Sequence, residues 1–447
     1  MCIMRVPAII SISLGVLTLL AIALLQGPAR EPASADWVTW TAPLEVAQGD
    51  ARRGPWQMND SEFHYVDDPT VAINDQGIIG VAWADQTQQD IFFQRFGADG
   101  QPQLEQPVNV SRSPEVFSWL PRLVIATDDA QNIYILWQDI VFSGGSHGGE
   151  IFFSRSTDGG RSFSPPMNLS NTVAGAGKGR LSANRWDNGS LDLIKASGNI
   201  YAAWSEYEGR LQFSRSMDNG QHFSAPITLA GPNPPARGPA LAADAAGALY
   251  LAWTVGEDDA ADIHITQSQD QGQSFQPSQV VHRSEGHSEA PKIAVDRQGT
   301  LHLVYGESPA GRRQRYHIRY TQRAPEAAEF SPPKAIAADH SDTYQSVNFP
   351  ALGLDADDTL YVLWDLFPRW RDRPRGLGLT RSQDGGQSFA DPIAIPATLN
   401  PELGAMGSQQ GLLMRKLAVN EDGAIAIAYS TFRPQTASHI WLIRGQH

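Results

Sequence analysis

The sequence has almost no cysteine and no excess of basic residues, and both absences exclude classes of function. Its one cysteine, Cys2, precedes an N-terminal apolar run and lacks the context of a lipid-attachment signal, so neither disulfides nor thiol chemistry are expected. Asp and Glu number 48 against 34 Lys and Arg, which gives a net charge of −14. Because nucleic-acid binding needs a basic surface, we expect no nucleic-acid partner.

Helical periodicity and cofactor motifs are also missing. No cluster of His, Cys and Asp has the spacing of a zinc site, and the pairs Asp258-Asp259 and Asp357-Asp358 are too short for a calcium loop. The Gly-rich stretch around His147 lacks the following helix that a phosphate cradle needs. We therefore expect neither a metal nor another cofactor.

The N-terminus has the layout of a secretory signal. Arg5 precedes an apolar run over residues 7–25, and a polar stretch with Ala33-Ser-Ala35 follows. This order predicts a signal peptide over residues 1–35, with cleavage after Ala35, or an uncleaved membrane anchor of the same residues. In either case the remaining chain is expected outside the cytoplasm, with membrane contact only through this segment.

An eight-residue pattern, Ser-x-Asp-x-Gly-x-x-Phe, occurs four times. The copies cover residues 156–163, 216–223, 268–275 and 382–389, so the aspartates are 60, 52 and 114 residues apart and the last step is two repeats long. In such a segment Asp accepts backbone hydrogen bonds, Gly supplies a positive φ, and Phe returns to the sheet. The pattern predicts a hairpin turn in a unit that is stacked many times.

A second pattern precedes each turn and gives the number of units. It describes a strand, a tight Asp/Asn-x-x-Gly turn and a second strand that ends on an aromatic residue. This end is found seven times, at Trp83, Trp137, Trp204, Trp253, Tyr305, Trp364 and Tyr429. A third and a fourth strand follow in most units. The last unit lacks a fourth strand, and the segment Trp40-Thr-Ala-Pro-Leu-Glu-Val-Ala47 resembles the missing piece.

The octapeptide resembles the Asp-box, or bacterial neuraminidase repeat, of the sialidase-like β-propellers. The resemblance implies an all-β fold in which the boxes lie between the third and fourth strands of each blade, on the face away from the substrate. We therefore predict one seven-bladed propeller over residues 37–447, closed by the N-terminal strand, with a six-bladed propeller as the lesser alternative. A monomer is expected.

Candidate site residues lie on the other face, where the longer loops collect. Acids recur just after the blade aromatics and are predicted to point toward the central channel, where they could transfer protons or bind a ligand. The alternative is that they bind backbone N–H groups or neighbouring arginines. These acids are Asp85, Asp139, Glu206, Glu307 and Asp365.

Arginines and aromatic residues form the other candidates. Arg122, Arg237 and Arg415 lie near the starts of innermost strands and could grip a carboxylate. The resemblance implies such an Arg triad and a Tyr nucleophile with a Glu partner, for which Tyr344 and Glu307 are the candidates, with Asp85 as acid or base. The first blade has Asp67-Asp68 where the family's Arg would be expected.

Two further groups lie on the predicted loops. Residues suited to stacking on sugars are Trp56, Tyr65, Phe117, Trp119, Trp186, Tyr207, Phe367 and Trp370. Four arginines share one loop, namely Arg369, Arg371, Arg373 and Arg375.

Three functions remain open at this level. The first is an extracytoplasmic propeller that recognises a glycan or another acidic ligand on its loop-rich face, with glycoside hydrolysis as a further activity. The second is an exo-α-sialidase. The third is a non-catalytic scaffold of the cell envelope that binds a protein or polysaccharide. Whether the protein is an enzyme is left open, because a fold does not determine a function.

Overall fold

The protein is a seven-bladed β-propeller in which each blade is an antiparallel sheet. A computed structural model describes residues 37–54, 62–113, 117–126, 129–143, 146–170, 191–206, 209–256, 259–312, 314–337, 343–400 and 414–446. The seven-bladed prediction is confirmed, and the six-bladed alternative is wrong, because each of the seven aromatic strand ends lies in the second strand of its own sheet.

Blades 1 to 3 follow one another along the chain. Blade 1 contains β5 (Val66–Ile73), β6 (Ile79–Asp85), β7 (Asp90–Phe96) and β8 (Val108–Asn109). Blade 2 contains β9 (Phe117–Ile125), β10 (Ile133–Ser143), β11 (Ser146–Ser156) and β12 (Met167–Asn168). Blade 3 contains β13 (Leu191–Ala196), β14 (Asn199–Ser205), β15 (Leu211–Ser216) and β16 (Ile227–Ala230).

Blades 4 to 6 repeat the same order. Blade 4 contains β17 (Ala236–Ala243), β18 (Leu249–Val255), β19 (Asp262–Ser268) and β20 (Gln279–His282). Blade 5 contains β21 (His287–Val295), β22 (Leu301–Ser308), β23 (His317–Arg323) and β24 (Lys334–Ala337). Blade 6 contains β25 (Ser346–Leu354), β26 (Leu360–Phe367), β27 (Gly376–Ser382) and β28 (Ile393–Ala394), followed by a short 3-10 helix, Pro396–Thr398.

Blade 7 joins the two ends of the chain, as the sequence predicts. Its β29 (Leu417–Val419), β30 (Ile425–Arg433) and β31 (Ala437–Gln446) are completed by β1 (Thr39–Trp40) and β2 (Leu44–Gly49), both of which pair with β31. A two-stranded hairpin of β3 (Arg52–Arg53) and β4 (Phe63–His64) leads into blade 1. The closure leaves no open edge between the first and last blades.

The octapeptide turns hold neighbouring blades together. In the turn at residues 216–223, Gly220 N–H donates to Ser216 Oγ (2.8 Å) and His222 N–H donates to Asp218 Oδ1 (2.9 Å). The closing Phe packs edge-on against an aromatic ring of the preceding blade, at 4.8 Å between the ring centroids of Phe223 and Phe153. Equivalent ring pairs recur at the other three turns. These turns are therefore interblade packing elements.

The core lies between adjacent blades, since alternate residues of each inner strand are apolar and meet the next sheet. The seven innermost strands, β5, β9, β13, β17, β21, β25 and β29, contact one another in sequence, and β29 returns to β5. They surround the axis of the propeller. Polar groups on these strands are consequently brought together from all around the ring.

Candidate channel site

One position at the innermost strand recurs in every blade and lies opposite the residue that precedes the blade aromatic in the second strand. Because the repeats are structurally equivalent, the residues at this position occupy the same level of the channel. In order around the ring they are Thr70, Arg122, Asp192, Ala240, Lys292, Ala351 and Lys416. Three of these residues are cationic and one is a carboxylate, and Arg415 adds a fourth cation one residue before Lys416.

A β-bulge shapes the same strands just before this position. The register shifts in blades 1, 4, 5 and 6. In each of these blades a residue with positive φ precedes a proline: Asp68 (φ 54), Gly238 (φ 59), Ala290 (φ 57) and Phe349 (φ 54). Left-handed backbone at non-glycine residues is strained and accumulates at functional sites. The bulge redirects the side chains before it toward neighbouring blades.

Arg415 reaches across the channel. Its Nη2 lies 3.1 Å from Oδ1 of Asp192 and donates to the carbonyl oxygen of Leu193 at 3.1 Å. Asp192 belongs to blade 3, which is three blades from blade 7 in one direction around the ring and four in the other. Its Oδ2 accepts a hydrogen bond from Leu241 N–H at 2.9 Å. The Arg415 side chain is 31% exposed, whereas that of Asp192 is 8% exposed. Asp192 therefore fixes the orientation of a guanidinium group that solvent can still reach.

Arg122 and Lys292 belong to the same electrostatic cluster. Burial lowers the pKa of Arg122 to about 10, with Asp192 opposing this change and Arg415 adding to it. Burial lowers the pKa of Lys292 to about 7, again opposed by Asp192, while Arg122, Arg415 and Lys416 lower it further. Three cations and one carboxylate thus act on Lys292. An anion bound here would be stabilised by all of these cations.

Lys416 is paired with Asp365 of blade 6, and both side chains are fully buried. The Lys416 Nζ also donates to the carbonyl oxygen of Phe349 at 3.3 Å. Burial raises the pKa of Asp365 to about 6, and the charge of Lys416 opposes this rise. The pair joins blades 6 and 7 beneath the more exposed cations. We refer to Arg122, Lys292, Arg415 and Lys416, with Asp192 and Asp365, as the channel cluster.

A second polar group lies three residues before Lys292 on the same strand. Glu289 accepts a hydrogen bond from Asn348 Nδ2 at 2.8 Å, and His287 Nε2 lies 3.2 Å from its other oxygen. Burial raises the pKa of Glu289, but the interactions with His287, Asn348 and Arg312 together outweigh burial and hold the pKa below its usual value. The group therefore presents an ionised carboxylate beside the channel cluster.

The predicted arginine triad is brought together only in part. Arg122 and Arg415 interact electrostatically, but Arg237 directs its Nη1 to the carbonyl oxygen of Glu206, at 3.5 Å, between blades 3 and 4. Arg237 is redirected because it occupies the bulge position and not the position of Arg122. Lys292 of blade 5 takes part in the cluster in its place.

Two of the predicted acids, Asp85 and Asp139, are held by local partners. Asp85 Oδ1 accepts hydrogen bonds from Thr87 N–H (2.9 Å) and Gln88 N–H (3.1 Å) in the hairpin that follows. Asp139 accepts from Ser118 Oγ (2.6 Å), Trp137 Nε1 (2.7 Å) and Ser113 Oγ (2.9 Å), and burial raises its pKa to about 6. At Glu206 it is the backbone that closes the following turn, since its carbonyl oxygen accepts a hydrogen bond from Gly209 N–H at 2.8 Å. The functional roles predicted for these acids remain predictions.

The predicted nucleophile pair is not in hydrogen-bond contact in the described residues. Glu307 lies 2.5 Å from Arg319 Nε and 3.2 Å from Ser284 Oγ. Tyr344 packs against the core cluster around Trp364 and Leu366, and burial raises its pKa. A raised pKa makes the phenol harder to ionise, so this arrangement does not activate Tyr344.

The predicted stacking residues have different locations. Tyr65 and Phe367 are buried in the core, where Tyr65 packs edge-on against Phe432 at 5.4 Å. Trp370 lies on the arginine loop, with the Arg371 guanidinium 4.4 Å from its ring. Phe117 and Trp119 lie in β9, and Trp56, Trp186 and Tyr207 lie outside the described residues.

The sequence patterns missed Asp192, Lys292 and Lys416, although a signal for them exists. Each lies four residues before the residue that opens the tight turn, as in Lys292 and Asp296 or Lys416 and Asn420. Aligning the repeats on these turns would place the three residues in one column, and Arg122 joins it once the two extra residues in the connection of blade 2 are allowed for. Thr70 shares this column, and its buried Oγ1 has no hydrogen-bond partner among the described residues.

The described residues contain neither a metal-binding cluster nor a membrane-spanning helix. No group of three or more His, Cys, Asp or Glu side chains in this part of the chain is arranged to hold a metal ion. Within the same ranges no helix has the length and apolar character to cross a membrane.

Known structures support the fold. No protein-family profile matches the chain, and no curated protein matches it in sequence. A protein of unknown function from Dyadobacter fermentans is similar with a TM-score of 0.50 and 13% identity, covering 92% of this chain and 100% of that one. An ulvan lyase is similar with a TM-score of 0.53 and 14% identity over 85% of this chain and 94% of its own.

The same lyase bound to -[GlcA(1-4)Rha3S]- gives a TM-score of 0.52 at 13% identity, over 84% of this chain and 93% of that one. Identities this low show the fold alone. The chain therefore has a β-propeller fold consistent with the sialidase-like architecture that its repeats predict.

Proposed function

We propose that the protein recognises an acidic glycan unit at the channel cluster, on the loop-rich face of an extracytoplasmic propeller. One observation carries this proposal: cations from blades 2, 5 and 7, namely Arg122, Lys292 and Arg415, interact electrostatically with one another and with the carboxylate of Asp192, while Asp68 also acts on Arg122. Like charges gathered in a buried setting repel one another, so a bound carboxylate or sulfate would stabilise the arrangement.

Two members of the cluster, Arg415 and Lys292, are partly accessible to solvent and suit direct contact with a ligand. Arg415 is oriented by Asp192 and remains partly exposed, and Lys292 is half-buried. A guanidinium group can bind both oxygens of a carboxylate, and an ammonium group adds a point charge without a fixed direction. Arg122 lies deeper, 2% exposed, and contributes its charge to the field at the site. The buried hydroxyl of Thr70 is a further donor at the same level.

The comparisons support a glycan as the ligand class. The ulvan lyase of similar fold is bound to a saccharide that contains GlcA and Rha3S. That ligand is acidic, and the cation-rich channel of this chain suits an acidic saccharide for the same electrostatic reason. The predicted signal or anchor over residues 1–35 would place such a propeller where extracellular glycans are found.

Binding can be tested with acidic and neutral monosaccharides. Isothermal titration of galacturonate, glucuronate and sialic acid against the protein lacking residues 1–36 should detect at least one acidic sugar, with galactose and glucose as neutral controls. Arg415→Gln and Lys292→Met should each weaken this binding about tenfold. Arg297→Gln, an exposed change in the tight turn of blade 5, is the matched control. Equal binding of neutral and acidic sugars would contradict the proposal.

Hydrolysis of the bound glycan is the further activity to be tested. The separation of Tyr344 from Glu307 and the raised pKa of Tyr344 favour recognition over exo-sialidase chemistry at those two residues. A fluorogenic sialoside and a panel of fluorogenic glycosides would measure the activity directly. If a sialoside is cleaved and Tyr344→Phe abolishes the cleavage, the exo-sialidase hypothesis replaces the binding proposal.

A further inference from the structure

A basic loop joins the second and third strands of blade 6. It covers residues 368–375 and carries four arginines, Trp370 and a single acid, Asp372. We call it the basic loop. Its guanidinium groups are supported by aromatic rings, with Arg371 at 4.4 Å from the Trp370 ring and Arg373 at 5.0 Å from the Phe432 ring. Such contacts hold a cation in place without neutralising it.

The basic loop lies on the same face as the channel cluster. It follows directly after β26, and β26 carries Asp365, which binds Lys416 of the cluster. Phe432, which supports Arg373, lies near the end of β30 in blade 7. The loop therefore extends from blade 6 to blade 7, and blade 7 also provides Arg415. The arginines of the basic loop and the cations of the channel cluster in blade 7 therefore lie on adjoining blades.

Two arginines of the loop are exposed to solvent. The Arg369 side chain is 73% exposed, and its Nε and Nη2 donate to Asp372 at 3.0 and 3.2 Å. Arg371 is also exposed. Asp372 is the only acid within the loop, and it pairs with Arg369.

The charge distribution of the propeller favours an extended anionic ligand at this place. The net charge is −14, so an acidic polymer is repelled by the molecule as a whole. The opposite face adds to the repulsion, because the octapeptide turns place Asp158, Asp218, Asp270 and Asp384 there. Cations concentrated on the channel face would select the orientation in which the polymer docks.

We propose that the basic loop is a second anion-binding site, and that the ligand is an acidic polysaccharide with one acidic unit at the channel cluster and another on the loop. This inference rests on the proposed function and narrows the ligand from an acidic sugar to an acidic polymer. Two linked sites bind a polymer more tightly than either site binds a monosaccharide, because the second contact forms within the complex.

The test compares polymers with their units. The probes are polygalacturonate, chondroitin sulfate and dextran sulfate, with galacturonate, glucuronate and glucose sulfate as the matching monosaccharides. The proteins are the wild type, Arg369→Gln/Arg371→Gln and the control Arg161→Gln/Arg297→Gln, whose residues are exposed on the opposite face. Affinity is measured by titration at two salt concentrations, and thermal unfolding confirms that every variant is folded.

The loop variant should bind the polymer about three- to tenfold more weakly and bind the monosaccharide as the wild type does. Its polymer affinity should also depend less steeply on salt. The control should match the wild type in both. If the loop variant binds the polymer with wild-type affinity, or if the wild type binds polymer and monosaccharide equally, the loop is not a second site.

Arg415→Gln separates this inference from the proposed function. If it abolishes monosaccharide binding and the loop variant has no effect on the polymer, the channel proposal stands and the loop proposal fails. If the loop variant weakens polymer binding and Arg415→Gln does not, the loop binds the polymer alone and the channel proposal fails. Absence of binding to all six probes contradicts both.

Discussion

At the scale of single residues, the channel cluster combines buried and accessible charges. Lys416 and Asp365 form an ion pair from which solvent is excluded, while Arg415 and Lys292 remain within reach of solvent. A buried pair costs free energy to desolvate, so its presence is weak evidence for stability but fixes the positions of the groups around it. The pair and its exposed neighbours therefore predict different consequences of mutation.

Removing one partner of the buried pair should be costly. Asp365→Asn leaves the Lys416 ammonium buried without a carboxylate and is expected to lower the free energy of unfolding by about 3 kcal/mol or more. Asp365→Leu combined with Lys416→Met should restore most of this loss, since no charge is then buried. Denaturant unfolding of the three proteins measures the effect. If Asp365→Asn is as stable as the wild type, water reaches the buried pair and the prediction is wrong.

Ligand binding at Lys292 should depend on pH. Its pKa is lowered to about 7, chiefly by burial, so the side chain is cationic below this pH and neutral above it. A bound anion stabilises the cation and raises that pKa, so binding takes up a proton. The affinity for an acidic monosaccharide should be highest below pH 7 and fall about tenfold as the pH rises through and beyond 7.

Titrations from about pH 6 to about pH 9 measure this dependence. Lys292→Met should flatten the profile over this range, because it removes the ammonium group whose pKa is about 7. A profile that is unchanged in Lys292→Met would assign the pH dependence to another group.

Individual residues also show which parts of the site could be predicted from sequence patterns and which could not. Arg122 and Arg415 were identified because arginine near the start of an inner strand suggests carboxylate binding. Lys292 and Asp192 were missed because each occurs once, and their shared position becomes visible only when the repeats are superposed. The acids after the blade aromatics recur in sequence, but Asp85, Asp139 and Glu307 each find a local partner. Recurrence indicated their structural equivalence and did not determine their partners.

At the scale of elements, the octapeptide turn explains why its glycine recurs. In the turn at residues 382–389, both Gly385 (φ +68) and Gly386 (φ +80) have left-handed backbone. A Cβ on Gly386 would lie 1.7 Å from the Tyr320 hydroxyl of the preceding blade, whereas a Cβ on Gly385 would meet nothing within 4 Å. Other turns place Asn219 or Gln271 at the position of Gly385, with φ of 56 and 57. Close packing thus excludes side chains from only one of the two positions.

The two glycines give a matched pair of mutations. Gly385→Ala should cost about 1 kcal/mol of unfolding free energy, which is the strain of left-handed backbone alone. Gly386→Ala should cost about 3 kcal/mol or more, because the methyl group must also displace Tyr320. Thermal or denaturant unfolding distinguishes the two. Equal losses would mean that the contact with Tyr320 relaxes freely.

The sequence predicted these turns but not all of their contacts. The Phe of the octapeptide was expected to return to the sheet, and it does so against a ring of the preceding blade, as Phe275 does with Phe213. Arginines of the third strands add links that the pattern did not reveal. Arg155 donates to the carbonyl oxygen of Asn219 (3.1 Å), and Arg215 donates to that of Gln271 (2.8 Å). Contacts between repeats depend on the twist that brings one blade against the next.

At the scale of the whole molecule, the ring is closed by the segment that precedes the first blade. Leu44 and Val46 pack against the core between blades 7 and 1, and Trp40 packs against the core between blades 6 and 7. The His439 Nδ1 lies 2.9 Å from Oε2 of Glu45 across β2 and β31. The number of blades and this closure were both predictable, because each strand has its own sequence pattern.

Closure brings the channel cluster together, because Arg415 and Lys416 of blade 7 meet Arg122 and Asp192 of blades 2 and 3 only in a complete ring. A protein that begins at Asp50 lacks β1 and β2 and exposes the outer edge of β31. It should lose about 5 kcal/mol of unfolding free energy from the apolar side chains removed, and its open edge should promote aggregation.

A protein that begins at Trp37 is the control, since it retains both strands. Thermal unfolding and size-exclusion chromatography compare the two, and titration with an acidic monosaccharide reports on the channel. If closure positions blade 7, the shorter protein should bind more weakly even at temperatures where it is folded. Wild-type stability together with wild-type affinity in the shorter protein would show that six intact blades and the three remaining strands of the seventh are enough to hold the cluster.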